Sequence, residues 1–359
     1  MKKTAFSIIA LSALLGIPAH AIDISGITAQ GEAAFDYNFL SSGSNPYPAS
    51  GGALNDQYHF HSAQLILTKE TEELSLFARL AYVPTEYTSP AGNTKSNIGT
   101  LDQLEVYYKI APEWSVGGGR LCSTLGFESA LKNENAFYAN TVAYQGIVPG
   151  YNEGMRLRFN PGEFLAVSLS TYNRSTYNQF GDDYTPTKTT ELSATGVAGR
   201  FLWFAGYYTG TDTDPVTPTL KIDKSTSNIW ATYKFSDNFT WSVSYDARTQ
   251  TPDGGSQIYA QSISSQMVYV WDKHSIGLRY ESVLGAGELD ALNNSTGAYY
   301  TGTDKANVWT LGDKFKLSEH LKVYVEYRHD SADQEVLTND KGDLTKELHM
   351  ITLGAVAHF

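Results

Sequence analysis

The chain has 359 residues, a formal net charge of −12 and one cysteine, Cys122. Acidity of this size argues against a nucleic-acid partner, which calls for clustered Lys and Arg, and a lone cysteine excludes an internal disulfide. No apolar run beyond the N-terminal segment approaches the ~20 residues a membrane helix needs, and a mean hydropathy of −0.29 with 24 tyrosines and 31 glycines excludes a bundle of such helices.

The chain opens with a basic head, Met1-Lys2-Lys3, and an apolar run over residues 4–17 too short to span a bilayer. Ala19-His20-Ala21 then matches a small-residue cleavage site, so residues 1–21 read as a secretory signal removed before Ile22. No cysteine stands directly after that site, which argues against a lipid-anchored lipoprotein. Residues 22–359 read as one domain.

From residue 24 onward one unit repeats: a stretch of alternating apolar and polar residues, then a turn. The first strand, residues 24–39, has Ile27, Ala29, Ala33, Phe35 and Tyr37 on one side and Gln30, Glu32, Asp36 and Asn38 on the other. Strands at 58–68, 74–83, 101–110 and 114–121 follow. Their connections alternate between long Gly/Ser/Pro/Asn stretches and tight polar turns at 69–72 and 111–113. The rhythm continues through short turns at 160–162, 199–201, 236–238, 272–274 and 318–320. Asp313, in the fourteenth strand, falls among apolar residues and calls for a bulge or a place near the membrane boundary.

The fifteenth strand shows the unit most clearly. Leu321, Val323, Val325 and Tyr327 share one face; Lys322, Tyr324, Glu326, Arg328 and Asp330 share the other. A face that charged belongs in water and a face that apolar belongs in lipid, which predicts an all-β, antiparallel transmembrane barrel of about sixteen strands with short periplasmic turns and long extracellular loops. The last strand, 347–359, alternates Ile351, Leu353, Ala355 and Ala357 and ends on Phe359, a terminal signal for the barrel assembly machinery. The expected location is a bacterial outer membrane, with its lipids as the surrounding partner.

The longest connection, residues 122–150, carries Glu128, Glu134, Phe137, Tyr138 and Tyr144. A barrel of this size encloses an aqueous channel, and so long a loop either folds inward to narrow it or lies on the surface. Strand phase places Arg79, Lys109, Arg156, Arg158, Arg279 and Arg328 on the polar face with Glu281 and Glu326. On the lipid side each arginine would cost about 2–4 kcal/mol at mid-membrane, so the lumen is their expected home. Such charges either pair across strands as a structural ladder or face Glu128 and Glu134 across a filter.

Gly117-Gly118-Gly119-Arg120, Leu125-Gly126-Phe127-Glu128, Asn135-Ala136-Phe137-Tyr138, Ile147-Val148-Pro149-Gly150 and Gly154-Met155-Arg156-Leu157 resemble the OmpL-like β-barrel porin family of bacterial outer membranes. The likeness is concentrated in residues 114–159. Where many relatives have a histidine, between Pro149 and Gly154, this chain has Gly150, Tyr151, Asn152 and Glu153. The resemblance implies an outer-membrane, pore-forming protein and supplies no substrate. Arg120 joins Glu128 and Glu134 among the residues expected to line the pore or its constriction.

Enzyme signatures are absent: no G-x-S-x-G elbow, no H-E-x-x-H and no phosphate-binding loop. His59 and His61 lie two apart in phase with Ala63, Leu65 and Leu67, which reads as an outward-facing interfacial pair rather than a metal site. Asp212 with Asp214, and Asp340 with Asp343, read as solvated loop charges. No catalytic residue, metal or cofactor is expected. The expected function is passive diffusion of small hydrophilic solutes and ions. The alternatives are a non-conducting barrel serving as adhesin, receptor or structural protein, and a barrel enzyme. The oligomeric state is left open, a homotrimer being one option.

Overall fold

A computed structural model describes residues 22–24, 26–40, 57–82, 86–88, 94–96, 100–173, 188–213, 221–289, 303–338 and 344–359. The signal reading at 1–21 lies outside the described residues, as does most of the long-loop sequence, including Asp214, Asp340 and Asp343.

Sixteen long strands run β1 (Ile27–Leu40), β2 (Gln57–Glu70), β3 (Leu74–Tyr82), β4 (Thr100–Ala111), β5 (Trp114–Cys122), β6 (Tyr151–Gly162), β7 (Leu165–Tyr172), β8 (Thr189–Ala198), β9 (Phe201–Thr213), β10 (Lys221–Lys234), β11 (Phe239–Pro252), β12 (Ile258–Trp271), β13 (His274–Leu284), β14 (Lys305–Lys316), β15 (Leu321–Ala332) and β16 (Glu347–His358). Each pairs antiparallel with its sequence neighbours, and β16 pairs back onto β1 with Ala357 opposite Ala33. The sheet therefore closes on itself, which is what a spanning sheet in lipid requires. A three-residue strand, Ile22–Ile24, adds to the start of β1.

The turns at 71–73, 112–113, 163–164, 199–200, 235–238, 272–273 and 317–320 lie at one rim. Two of them need a left-handed residue, supplied by Gly199 at φ 62° and by Asp272 at φ 52°, a residue whose short polar side chain tolerates that region. Long connections occupy the other rim. Short turns mark the periplasmic side and long ones the extracellular side.

Alternation sets the two faces. On β15, Lys322, Tyr324, Glu326, Arg328 and Asp330 are buried inside while Val325 and Tyr327 are exposed outside. Exposed leucines, isoleucines and valines on nearly every strand form an apolar band that only lipid can cover. Trp114, Phe164, Phe235, Trp241 and Trp271 ring the short-turn rim, where aromatic side chains meet headgroups. Asp313 needs no bulge: it stays in register opposite Ile276 and Val325, and the His274 imidazole lies 2.7 Å from its carboxylate near the short-turn rim.

Candidate functional site: the inward segment and the charged wall

Residues 123–150 belong to no sheet; they hold one 3-10 turn at Lys132–Glu134 and a five-residue helix, α1 (Val142–Gly146). Buried main-chain N–H and C=O groups without a ladder need other partners. The inward-phase side chains of the strands supply them.

Carboxylates on the wall take the amides. Glu32 of β1 accepts from the N–H groups of Lys132 and Asn133 at 2.9 and 2.8 Å. Glu326 of β15 accepts from Tyr138 and Ala139, the latter at 2.9 Å. Glu281 of β13 accepts from Val142 and Ala143 at 2.8 and 2.9 Å, at the first turn of α1, where a negative charge also meets the positive end of the helix. Glu191 of β8 takes the Thr124 amide at 3.1 Å, and Asn228 of β10 takes that of Gly126 at 2.9 Å.

Cations on the wall take the carbonyls. Lys322 and Lys314 donate to the carbonyls of Asn133 and Asn135 at 3.0 and 2.8 Å. Arg279 donates to Ala139 at 2.7 Å, Arg328 to Asn140 at 3.1 Å and Arg156 to Cys122 at 2.6 Å. Hydrogen bonds to charged groups contribute about 1.5–3 kcal/mol each, so this set holds the segment against the wall over most of the circumference.

Packing adds to it. Inward-facing Gly277, Gly312 and Gly354 lie beneath the rings of Phe137 and Tyr138; a Cβ at Gly277 or Gly354 would collide with those rings, and one at Gly312 would press on Phe137. Elsewhere Leu125 packs with Leu121, Tyr172, Phe204, Tyr208 and Trp230, and Val142, Ala143 and Ile147 pack with Ala260, Val283, Val308 and Leu348.

Side chains of the segment complete the charge pattern. Glu128 forms an ion pair with Arg279 at 2.8 Å and accepts the Thr141 N–H and hydroxyl at 2.8 and 2.7 Å. The Ser129 hydroxyl donates to Glu134 at 2.5 Å. Burial raises the Glu134 carboxyl above the ordinary range, opposed by that hydrogen bond and by the nearby charge of Lys322.

The other charged residues expected to line the pore have definite partners. Arg158 pairs with Glu105 at 3.0 Å and stacks on Tyr107, its guanidinium carbon 3.6 Å from the ring centre. Arg156 is buried among Ser170, Tyr172 and Glu191. Arg79 bonds Asp102 and Tyr151, and Lys109, on the inward phase near the short-turn rim, pairs with Glu70 at 3.1 Å. Arg328 pairs with Asp330 at 2.7 Å.

Three expectations are corrected. Arg120 lies opposite Leu104 and Glu153, on the strand phase of outward-facing Val106 and Met155, and bonds Glu153 at 3.1 Å at the extracellular end rather than lining the lumen. His61 faces inward, its ring 5.7 Å from that of Tyr138, because a bulge between Ala34 and Phe35 shifts the β1–β2 register and reverses the phase. Asp212 is no solvated loop charge: it is buried and paired with Lys224 at 3.1 Å. Glu191, Asn228, Lys314 and Arg248, which donates to the Gly146 carbonyl at 3.3 Å, belong to no motif that marks them in the sequence, although each stands on the polar phase of its strand.

A family model described as "Putative beta-barrel porin-2, OmpL-like" matches residues 24–359. The chain belongs to this family. It is an outer-membrane diffusion channel. No curated protein sequence matches it. Among solved structures it is similar to the outer membrane channel DcaP of Acinetobacter baumannii (14% identity, 95% and 100% of the two chains covered, TM-score 0.60). It is similar to an anion-selective porin from Comamonas acidovorans (12% identity, 93% and 99% covered, TM-score 0.61). A trimer form of in-vitro folded OmpT, an outer membrane protein of Vibrio cholerae, also aligns (15% identity, 93% and 99% covered, TM-score 0.57). Identities this low speak to the fold alone.

Proposed function

We propose that the segment 122–150 is the constriction of this porin: bonded to the wall, it narrows the lumen that solutes cross without covalent chemistry. The observation that carries the reading is the ion pair of Glu128 with Arg279 at 2.8 Å, a segment carboxylate set against a wall guanidinium. Glu134 on the segment, with Arg79, Arg156, Arg158, Glu281, Glu326 and Arg328 on the wall, sets the field that a solute meets, and Lys109 stands at the periplasmic mouth. Preorganised charges held beside a narrow aqueous path orient dipolar solutes and discriminate ions by sign.

Three further assignments accompany this one. The barrel works as a homotrimer, as the trimer form of the Vibrio OmpT suggests for a barrel of this fold. Residues 1–21 direct export and are cleaved. Phe359 is read by the assembly machinery, and its backbone exchanges two hydrogen bonds of 3.0 Å with Gly31 at the seam where the barrel closes.

Deletion of residues 127–142 tests the constriction. Single-channel conductance of the folded deletion variant is expected to rise severalfold, and unchanged conductance would place the narrowest point elsewhere.

A further inference from the structure

The outer wall of the barrel carries two histidines that the pore does not use. His329 of β15 and His349 of β16 are direct cross-strand partners, with ring centres 4.5 Å apart and an interplanar angle of 77°. Both follow the outward phase of Val325, Tyr327, Ile351 and Leu353, toward the extracellular ends of their strands. An aromatic pair at a membrane boundary is the plain reading of such residues. Two further contacts go beyond it.

The first fixes one ring. His349 Nδ1 lies 2.7 Å from the Tyr327 hydroxyl oxygen. In the tautomer whose Nδ1–H donates to that oxygen, Nε2 carries the lone pair, the arrangement by which a second partner orients a metal-binding imidazole. The second supplies an anionic ligand. Glu347, two residues along the same face, brings Oε2 to 4.0 Å from His349 Nε2, and its side chain is 61% exposed. Nitrogen and oxygen ligands of one tetrahedral ion, each bound at ~2.1 Å, stand about 3.4 Å apart. An exposed glutamate closes that difference by a small rotamer change.

We propose that His329, His349 and Glu347 form a divalent transition-metal site of the zinc class on the extracellular end of the outer wall, clipping β15 to β16. Two imidazoles with one carboxylate match the ligand preference of zinc, copper and nickel and are poor ligands for calcium or magnesium. Among the described residues no three His, Cys, Asp or Glu side chains are already gathered round one point, so the ion itself draws Glu347 in and water completes the coordination. Because the ligands come from two strands paired only in the folded barrel, the ion binds that form and stabilises it.

The test is calorimetric titration of zinc chloride into the full, untagged barrel folded in detergent. One zinc per chain is expected with micromolar affinity, weakened about tenfold or more in His329→Ala and in His349→Ala, with no heat from calcium chloride. His329→Asn and His349→Gln serve as second variants, and retention of compact migration on unheated gels reports that each barrel is folded. Copper quenching gives an independent readout, since Trp309 is the register partner of His329: quenching of Trp309 should vanish in both histidine variants. No zinc uptake by the folded protein, or uptake unchanged in the His329/His349 double variant, overturns the site.

Discussion

The ring of Phe137 rests against Gly277, where a Cβ would stand 2.7 Å from its Cζ atom. Gly312 on the next strand would bring a Cβ to 3.2 Å of the same ring, and Gly354 on β16 lies 2.6 Å, by the same measure, from Tyr138. The three glycines are therefore sockets, and the Asn135–Ala136–Phe137–Tyr138 sequence is the part of the segment that fits them.

Filling a socket should unseat the segment. Gly277→Val forces Phe137 away at a cost of roughly 1–3 kcal/mol, the usual range for overpacking. The expected result is noisier single-channel current with a raised mean conductance and faster proteolysis within residues 123–150.

Breaking the pair between segment and wall should act on both stability and selectivity. Arg279→Glu leaves Glu128 beside a second carboxylate and removes the donor to the Ala139 carbonyl. Removing one partner of a buried pair costs about 3–5 kcal/mol, so a lower unfolding temperature is expected, with a reversal potential in a salt gradient moved toward cations. Arg279→Lys, which keeps the charge, should keep the selectivity.

The carboxylate clamps make a local prediction. Glu281→Gln offers one oxygen acceptor where two amides, Val142 and Ala143, now donate. Hydrogen exchange at those two amides should quicken, while amides held by Glu32 at 132 and 133 keep their protection. Equal quickening throughout would mean that the segment opens as one unit.

Much of the fold is legible in the sequence, and the exceptions have identifiable causes. A period of two over residues 321–330 separates lumen from lipid without ambiguity, because every second residue must face the same solvent. His61 escapes that rule because a single bulged residue reverses the phase and leaves no mark in composition. Asp313 looks anomalous in its own strand because its partner, His274, begins a different one. The wall charges are visible in the sequence, but not what they hold. Glu281 and Val142 are 139 positions apart in sequence, and only closure of the barrel brings them together.

Glu134 gives a pH test. Burial raises its carboxyl above the unfolded value of about 4.3. A folded state that holds the proton more tightly gains stability as pH falls through the window between the unfolded and the raised values, and loses that gain above it. The wild-type protein should therefore gain stability on acidification relative to Glu134→Gln, measured as the difference between their unfolding midpoints across that window.

The most direct test of the channel itself is the single-channel current of the detergent-folded, full-length barrel in a planar bilayer. Stable open steps whose size grows with salt concentration are predicted. A folded barrel that passes no current would contradict a diffusion channel and point to a lumen sealed by residues 123–150.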